Sequence, residues 1–297
     1  MELRKPGFVA PKPRGPRVVA AYSALIGWTA ARALPMRLRP LAYRAFARAV
    51  GANLAEAELP LGEYPSFGDF FARGLRRGAR PLDPSPDAVI APCDGVTAAC
   101  GVATGGTLLQ AKGHTYRLAE LVASEALAER LAGGHYATIY LSPRDYHRVH
   151  APIDATIVGY EYIPGALWPV NPRLAMRREG LLARNERVVI HLNSRTTGDV
   201  VLVMVGAIGV GNIRLSHPAF PSPPPDSATL RPACERYRVE LPPEVRVRRG
   251  DELGAFRLGS TVVMAFAPGP VVLQGSMGQP VRFGERIGLV TARGGAA

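Results

Sequence analysis

Cysteine is scarce in this 297-residue chain. Cys93, Cys100 and Cys234 are odd in number and lack CxxC spacing, which argues against a disulfide framework and a cysteine-based zinc site and leaves reduced, structural thiols. Aromatic residues make up 7% of the chain, and no RNP, KH or helix-turn-helix signature accompanies them, so a nucleic-acid-binding module finds little support. HExxH is absent, no GxSxG elbow surrounds Ser260, and no internal repeat of domain-building length is visible. The apolar run Val18 to Ala31 has about half the length needed to span a bilayer. A basic start, that run and Ala31-Arg32-Ala33 loosely resemble a secretory leader. Against that reading, the run is poor in leucine, and Trp28 near its end suits an anchor at headgroup level.

What is present is positive charge, a formal net of +12 carried almost entirely by arginine. Guanidinium groups favour bidentate contact with phosphate and carboxylate, so an anionic ligand or surface is the expected partner, although coding bias alone also enriches arginine. Residues 1–17 read as a flexible basic arm. From Val18 to about Ala57 the pattern turns helical, interrupted by Pro35 and Pro40. Arg32, Arg37, Arg39, Arg44 and Arg48 alternate there with Leu34, Met36, Leu38, Leu41, Phe46 and Val50. Such basic amphipathic helices suit either a membrane surface or a helical layer packed on a catalytic domain. Beyond Pro60, "YPSFGDFFARGL" predicts a short helix capped by Ser66, and "LAELVASEALAERLAGG" is the main later helix. Elsewhere short apolar runs such as "YATIYLSP", "VVLVMVGAIGVGNI" and "STVVMAF" recur between Gly, Pro and Asp turns. The fold class is therefore α+β, a β-rich catalytic domain of packed antiparallel sheets preceded by a basic amphipathic helical region. The boundary falls at 1–61 and 62–297. His217 to Pro243, with "HPAFPSPPPDS", reads as an extended surface loop.

Three places could carry chemistry. In "SPRDYHRVHAP" (142–152), His147 and His150 stand three apart on a loop or strand end bounded by Pro143 and Pro152. That arrangement suits acid/base work, whereas metal binding lacks a third ligand. In "APCDGV" (91–96), Asp94-Gly95 carries a hairpin-turn signature, and Asp94 becomes chemical only with a partner. In "RLGSTVVMAF" (257–266), Gly259 frees the backbone before Ser260, so the hydroxyl can approach its own preceding carbonyl. An Asp–His pair would make such a serine nucleophilic toward the chain itself.

Together, "FFARGLRRGARPLD" (70–83), "APCDGV", "LQAKGHTYRLAELV" (109–122), "YLSPRDYHRVHAP" (140–152), "YIPGALWPVN" (162–171), "ARNERVV" (183–189) and "RGDELGAFRLGSTVVMAF" (249–266) resemble phosphatidylserine decarboxylases of the bacterial type. The resemblance covers roughly residues 62–290. It implies a self-processing proenzyme cut between Gly259 and Ser260 into a β chain (1–259) and an α chain (260–297) that starts with a pyruvoyl group derived from Ser260. It further implies that Asp94 and one of His147 and His150 activate Ser260, while the other histidine serves decarboxylation. Spacing leaves that division open; we assign His150 to the relay and His147 to the substrate. The pyruvoyl carbonyl would form a Schiff base with the serine headgroup and take up the electrons left by departing carbon dioxide, giving phosphatidylethanolamine without pyridoxal phosphate. The expected partners are phosphatidylserine and an anionic membrane, reached peripherally from the cytoplasmic side, and the two chains of one proenzyme. A homodimer is among the oligomeric options, and nucleic acid is not expected. Residues 1–61 match in character only, and 212–243 departs from the pattern.

Two rival readings remain. Ser260, a histidine and Asp94 could form a hydrolase acting on an external ester, or a pyruvoyl enzyme could act on a related serine-headgroup lipid.

Overall fold

The computed structural model describes residues 26, 29–111, 114–170, 178–207, 213–220, 236–257 and 260–291. Its helices are α1 (Arg39–Val50), α2 (Phe67–Phe71), α3 (Leu118–Val122), α4 (Glu125–Leu131) and α5 (Leu181–Arg184). The strands run β1 (Ala88–Ile90), β2 (Gly95–Val102), β3 (Thr107–Ala111), β4 (His114–Arg117), β5 (His135–Leu141), β6 (Arg148–His150), β7 (Ala155–Ile163), β8 (Arg187–Ser194) and β9 (Gly198–Val205). They continue with β10 (Ile213–Leu215), β11 (Tyr237–Glu240), β12 (Arg246–Val247), β13 (Glu252–Phe256), β14 (Ser260–Phe266), β15 (Val271–Leu273), β16 (Pro280–Val281) and β17 (Arg286–Val290). Every ladder between these strands is antiparallel. The α+β reading with antiparallel sheets therefore holds.

A nine-stranded sheet in the order β11-β7-β8-β9-β14-β5-β2-β16, with β12 also on β7, forms the centre. Alternate residues of its middle strands enter two different cores. Val200, Leu202 and Met204 of β9, with Val262, Met264 and Phe266 of β14, face the small sheets β1-β17-β15 and β10-β13-β6. Val201, Val203 and Val205, with Val263 and Ala265, face α3, α4 and Tyr116 of β4. A strand buried on both faces needs no polar alternation, which is why "VVLVMV" and "STVVMAF" are continuous apolar runs.

The predicted short helix is α2, with the Ser66 hydroxyl accepting the Asp69 N–H as N-cap. "LAELVASEALAERLAGG" divides into two helices, because Ala123 adopts a left-handed φ of 52° and Ser124 recaps the chain for α4. Pro40 does not interrupt a helix; it sits in the first turn of α1, where its missing N–H leaves no bond unmade. Most of the run 18–31 lies outside the described residues. Among those described, no helix is long and apolar enough to cross a membrane. Tyr43 of α1 stacks on Phe70 of α2 at 4.4 Å and 6°, and its hydroxyl donates to the Tyr64 carbonyl, so this segment is docked on the β-rich part. The stretch 217–243 is not all loop, since β11 pairs with β7 and closes the edge of the large sheet; residues 221–235 lie outside the description.

Candidate active site

Strand register brings Ser260 and Asp94 to the same end of neighbouring strands of the large sheet, while His147 lies on the loop after β5 and His150 on β6 of a separate sheet. Ser260, the first residue of β14, pairs with Leu141, the last of β5. On the other side of β5, Val96 of β2 pairs with Tyr140, so continuing the register sets Asp94 beside Ser142. Gly95 is required by this close approach, because a Cβ there would lie 2.4 Å from the Tyr140 carbonyl oxygen. The hairpin expected at Asp94-Gly95 does not form. The turn instead carries the chain from β1 in one sheet to β2 in another. Gly259 lies outside the described residues.

The loop after β5 holds His147. Asp145 ties it down by accepting both the N–H and the hydroxyl of Ser142 at 2.7 Å. The Ser142 carbonyl can only accept, so His147 Nε2, 3.1 Å away, carries the proton and donates. Nδ1 is then a bare acceptor, fully buried, with no partner among the described residues. Phe71 stacks on the ring at 4.1 Å. Burial, followed by the nearby positive charge of Arg73, pushes the His147 pKa down to about 3, so the ring is neutral at pH 7.

His150 is arranged differently. Its Nδ1 donates to the Gly250 carbonyl at 2.9 Å, which leaves Nε2 to accept the Tyr146 hydroxyl at 3.0 Å. The ring stacks on Phe283 at 3.7 Å and 14°. The Phe283 N–H in turn donates to Asp94 Oδ1 at 2.8 Å. Burial lowers the His150 pKa to about 4, with the Gly250 hydrogen bond and the charges of Glu252 and Asp94 working the other way. The Asp94 charge thus acts on His150. No hydrogen bond joins either histidine to Ser260 or to Asp94 among the described residues.

Arg80 is the principal partner of Asp94, with Nη2 2.6 Å from Oδ2 and Nε 3.0 Å from Oδ1, and it also reaches Glu56 at 3.0 Å. Burial opposes the Arg80 charge, but these hydrogen bonds outweigh it and raise its pKa further. Asp94, Glu56 and Arg80 line a cavity of about 280 Å³ together with Arg73, Arg144, Asp145, Tyr146 and Arg282. Sequence reasoning gave no role to Arg73, Arg80, Tyr146, Asp145 or Phe283. The first two lie inside the quoted "FFARGLRRGARPLD", and Tyr146 and Asp145 inside "DYHRVH", but nothing local distinguishes them from ordinary surface or core residues.

Ser260 is buried, and its Oγ has no hydrogen-bond partner among the described residues. A buried hydroxyl without a partner costs folding free energy and marks a position kept for something other than stability.

The sequence model of the phosphatidylserine decarboxylase family matches residues 67–289. A phosphatidylserine decarboxylase proenzyme of Myxococcus xanthus is 39% identical over 275 residues, covering 92% of this chain and 95% of that protein. One of Anaeromyxobacter sp. (strain K) is 43% identical, covering 90% and 92%. One of Pseudomonas aeruginosa (strain LESB58) is 40% identical with the same coverage. With three quarters of its length matched by the family model and 39–43% identity to these proenzymes over about 90% of the chain, this chain belongs to the phosphatidylserine decarboxylase family.

Proposed function

We propose that the chain is a self-processing proenzyme that decarboxylates phosphatidylserine to phosphatidylethanolamine, with Ser260 as the source of a pyruvoyl group. The observation that carries this reading is the burial of Ser260 with its hydroxyl unpartnered. A hydrolase must offer its nucleophile to an external ester. A serine sealed at the start of a fully buried strand has one carbonyl joined to it by covalent connectivity, that of Gly259.

Ser260 Oγ adds to the Gly259 carbonyl carbon as its proton passes to a histidine; the C–N bond breaks, the amide nitrogen takes a proton, and the peptide becomes an ester. Loss of the Ser260 Cα proton expels the Gly259 carboxylate and leaves dehydroalanine, from which water releases ammonia to give the pyruvoyl carbonyl. The β chain then ends at Gly259 and the α chain begins at former residue 260. Asp94 acts electrostatically on His150, which supports His150 as the relay. Tyr146 occupies His150 Nε2, so that nitrogen receives the Ser260 proton once the Tyr146 hydroxyl has moved off it. His147, neutral with a bare Nδ1, is suited to carry the proton that replaces carbon dioxide on the substrate. A pyruvoyl group supplies an electrophilic carbonyl that captures the substrate amine and accepts the electron pair released with carbon dioxide. The orphaned Ser260 hydroxyl and the neutral base beside its strand edge fit its formation here.

Residues 1–61 would serve as the membrane-facing part, with 62–297 as the catalytic domain. Met36, Leu38 and Leu41 are exposed at and before α1, with Arg37, Arg44 and Arg48 near them. Such a face suits peripheral contact with an anionic leaflet on the cytoplasmic side, each basic residue near the surface contributing about 1 kcal/mol.

Intact mass measurement of the wild-type protein beside Ser260→Ala tests the central claim. Two fragments dividing at 259/260, the smaller with a blocked N-terminus, are expected for the wild type and one uncut chain for the variant. Carbon dioxide release from phosphatidylserine vesicles by the cut form then tests the activity. A folded, uncut wild type that hydrolyses esters would overturn the reading.

A further inference from the structure

Arg73 is buried, yet its Nε and Nη1 have no hydrogen-bond partner among the described residues, and Nη2 makes one long contact, 3.4 Å to the Arg144 carbonyl. A guanidinium in that state is expensive, since burial removes water from five donors and the protein returns little. Its position is imposed by its surroundings: it follows the last turn of α2, where Phe71 stacks on His147, and its own guanidinium lies 5.5 Å over the Phe70 ring. It lines the 280 Å³ cavity that also contains Asp94 and Tyr146. The other lining arginines are otherwise engaged or open to solvent. Arg80 is committed to Asp94 and Glu56, Arg144 lies 3.7 Å from Asp145 and is largely exposed, and Arg282 is exposed.

We propose that Arg73 binds the phosphodiester of the substrate headgroup in this cavity, holding the serine moiety beside His147. The inference rests on the decarboxylase reading and deepens it. The phosphate is a better match than the substrate carboxylate on energetic grounds. A guanidinium clamped to the carboxylate would stabilise the charge that must vanish as carbon dioxide leaves, favouring the ground state over the transition state. The phosphodiester keeps its charge throughout, so binding it costs nothing in the chemical step. In a serine headgroup only three bonds separate the reacting Cα from phosphorus, which fits an anion site next to the histidine whose charge state Arg73 already influences.

The test compares the wild type, Arg73→Lys and Arg73→Gln, each first checked for cleavage at 259/260. The substrates are a short-chain phosphatidylserine below its micelle concentration and O-hexylserine, which keeps amine and carboxylate but lacks phosphate. With phosphatidylserine, Arg73→Gln should raise KM about tenfold or more, the loss of charge-assisted hydrogen bonds to one anion, with a smaller change in kcat and partial rescue by Arg73→Lys. With O-hexylserine, wild type and variants should perform alike. Glycerophosphoethanolamine, which has phosphate and no carboxylate, should bind the wild type more tightly than Arg73→Gln in titration calorimetry. Equal losses on both substrates, or unchanged glycerophosphoethanolamine binding, would overturn the assignment. So would a folded Arg73→Lys that no longer cuts itself, since the charge would then serve the chain's own carbonyl. If the wild type releases no carbon dioxide from phosphatidylserine, the decarboxylase reading fails, and the calorimetric comparison still decides whether Arg73 holds a phosphodiester. Should Arg73→Gln not fold, Arg73→Lys carries the same comparisons.

Discussion

The two buried histidines should make the uncut protein sensitive to acid in a way that can be counted in protons. His147 and His150 have pKa values near 3 and 4 in the folded chain, against an ordinary value of 6.5 for the unfolded one. Both are depressed, so between pH 6.5 and pH 4 the unfolded state binds protons that the folded state refuses. Stability is therefore complete above pH 6.5 and lost as pH falls through that window. From pH 7 to pH 5 the pair should cost about 3.5 kcal/mol, and near pH 5 the slope from the pair should approach about 2.5 kcal/mol per pH unit. His191, depressed by burial against the opposing pull of Asp199, adds loss of the same sign, as do Glu56 and Asp199, whose hydrogen-bonded carboxylates titrate low. The clean measurement is consequently a difference: urea denaturation of Ser260→Ala, and of Ser260→Ala combined with His147→Gln or His150→Gln, at half-unit steps from pH 7.5 to 4.5. Each added substitution should lower the slope near pH 5 by about 1.3 kcal/mol per unit, one proton's worth, whatever it does to absolute stability. A slope that His147→Gln leaves unchanged would show that His147 titrates normally, and its neutral, base-ready state at low pH would be refuted.

Other outcomes follow from the same geometry. Ser260→Ala should stabilise the uncut chain by on the order of 1 kcal/mol or more, because it removes a buried hydroxyl with no partner; a clear destabilisation in denaturant melts would mean the hydroxyl is bonded. Arg80→Gln should destabilise by about 3–5 kcal/mol by stranding the buried Asp94 carboxylate, and should slow cleavage, read by denaturation and by gel time course. Tyr146→Phe, which frees His150 Nε2, should speed self-cleavage; slower cleavage in a folded variant would instead put the Tyr146 hydroxyl in the proton path. Exchanging Met36, Leu38 and Leu41 for Glu should abolish flotation with phosphatidylserine liposomes and spare self-cleavage, since all three are exposed.

The β-rich body was legible because its strands are long apolar β-former runs, and so was the cap of α2, because a serine three residues before an aspartate is a local signal. What stayed hidden depends on contacts that no window of sequence contains. Asp94-Gly95 has the chemistry of a hairpin turn and performs a different task, a passage between sheets, because the glycine is demanded by the Tyr140 carbonyl on a neighbouring strand. The N–H that holds Asp94 comes from Phe283, 189 residues downstream. Arg80 and Arg73 sit seven positions apart in an arginine-rich stretch whose charges look interchangeable. Only the fold shows that one has its charge satisfied by two carboxylates and the other does not.

That contrast bears on how the site is built. Among the described residues, half of the eight buried side-chain polar atoms that lack partners belong to three residues: Arg73, His147 and Ser260. Each such atom costs on the order of 1–3 kcal/mol, so their concentration at one place is a substantial local penalty, tolerated by a sheet buried on both faces. The two halves of the deficit are complementary in character. Arg73 offers donors without an acceptor, His147 Nδ1 a lone pair without a donor, and Ser260 Oγ a proton as well as lone pairs. In the proposed self-cleavage the Ser260 hydroxyl is consumed, so the cut form keeps only the Arg73 donors and the His147 lone pair; an arriving anion that also brings transferable protons meets both demands at once, and a headgroup with a phosphodiester and an amine on adjoining carbons is of that kind.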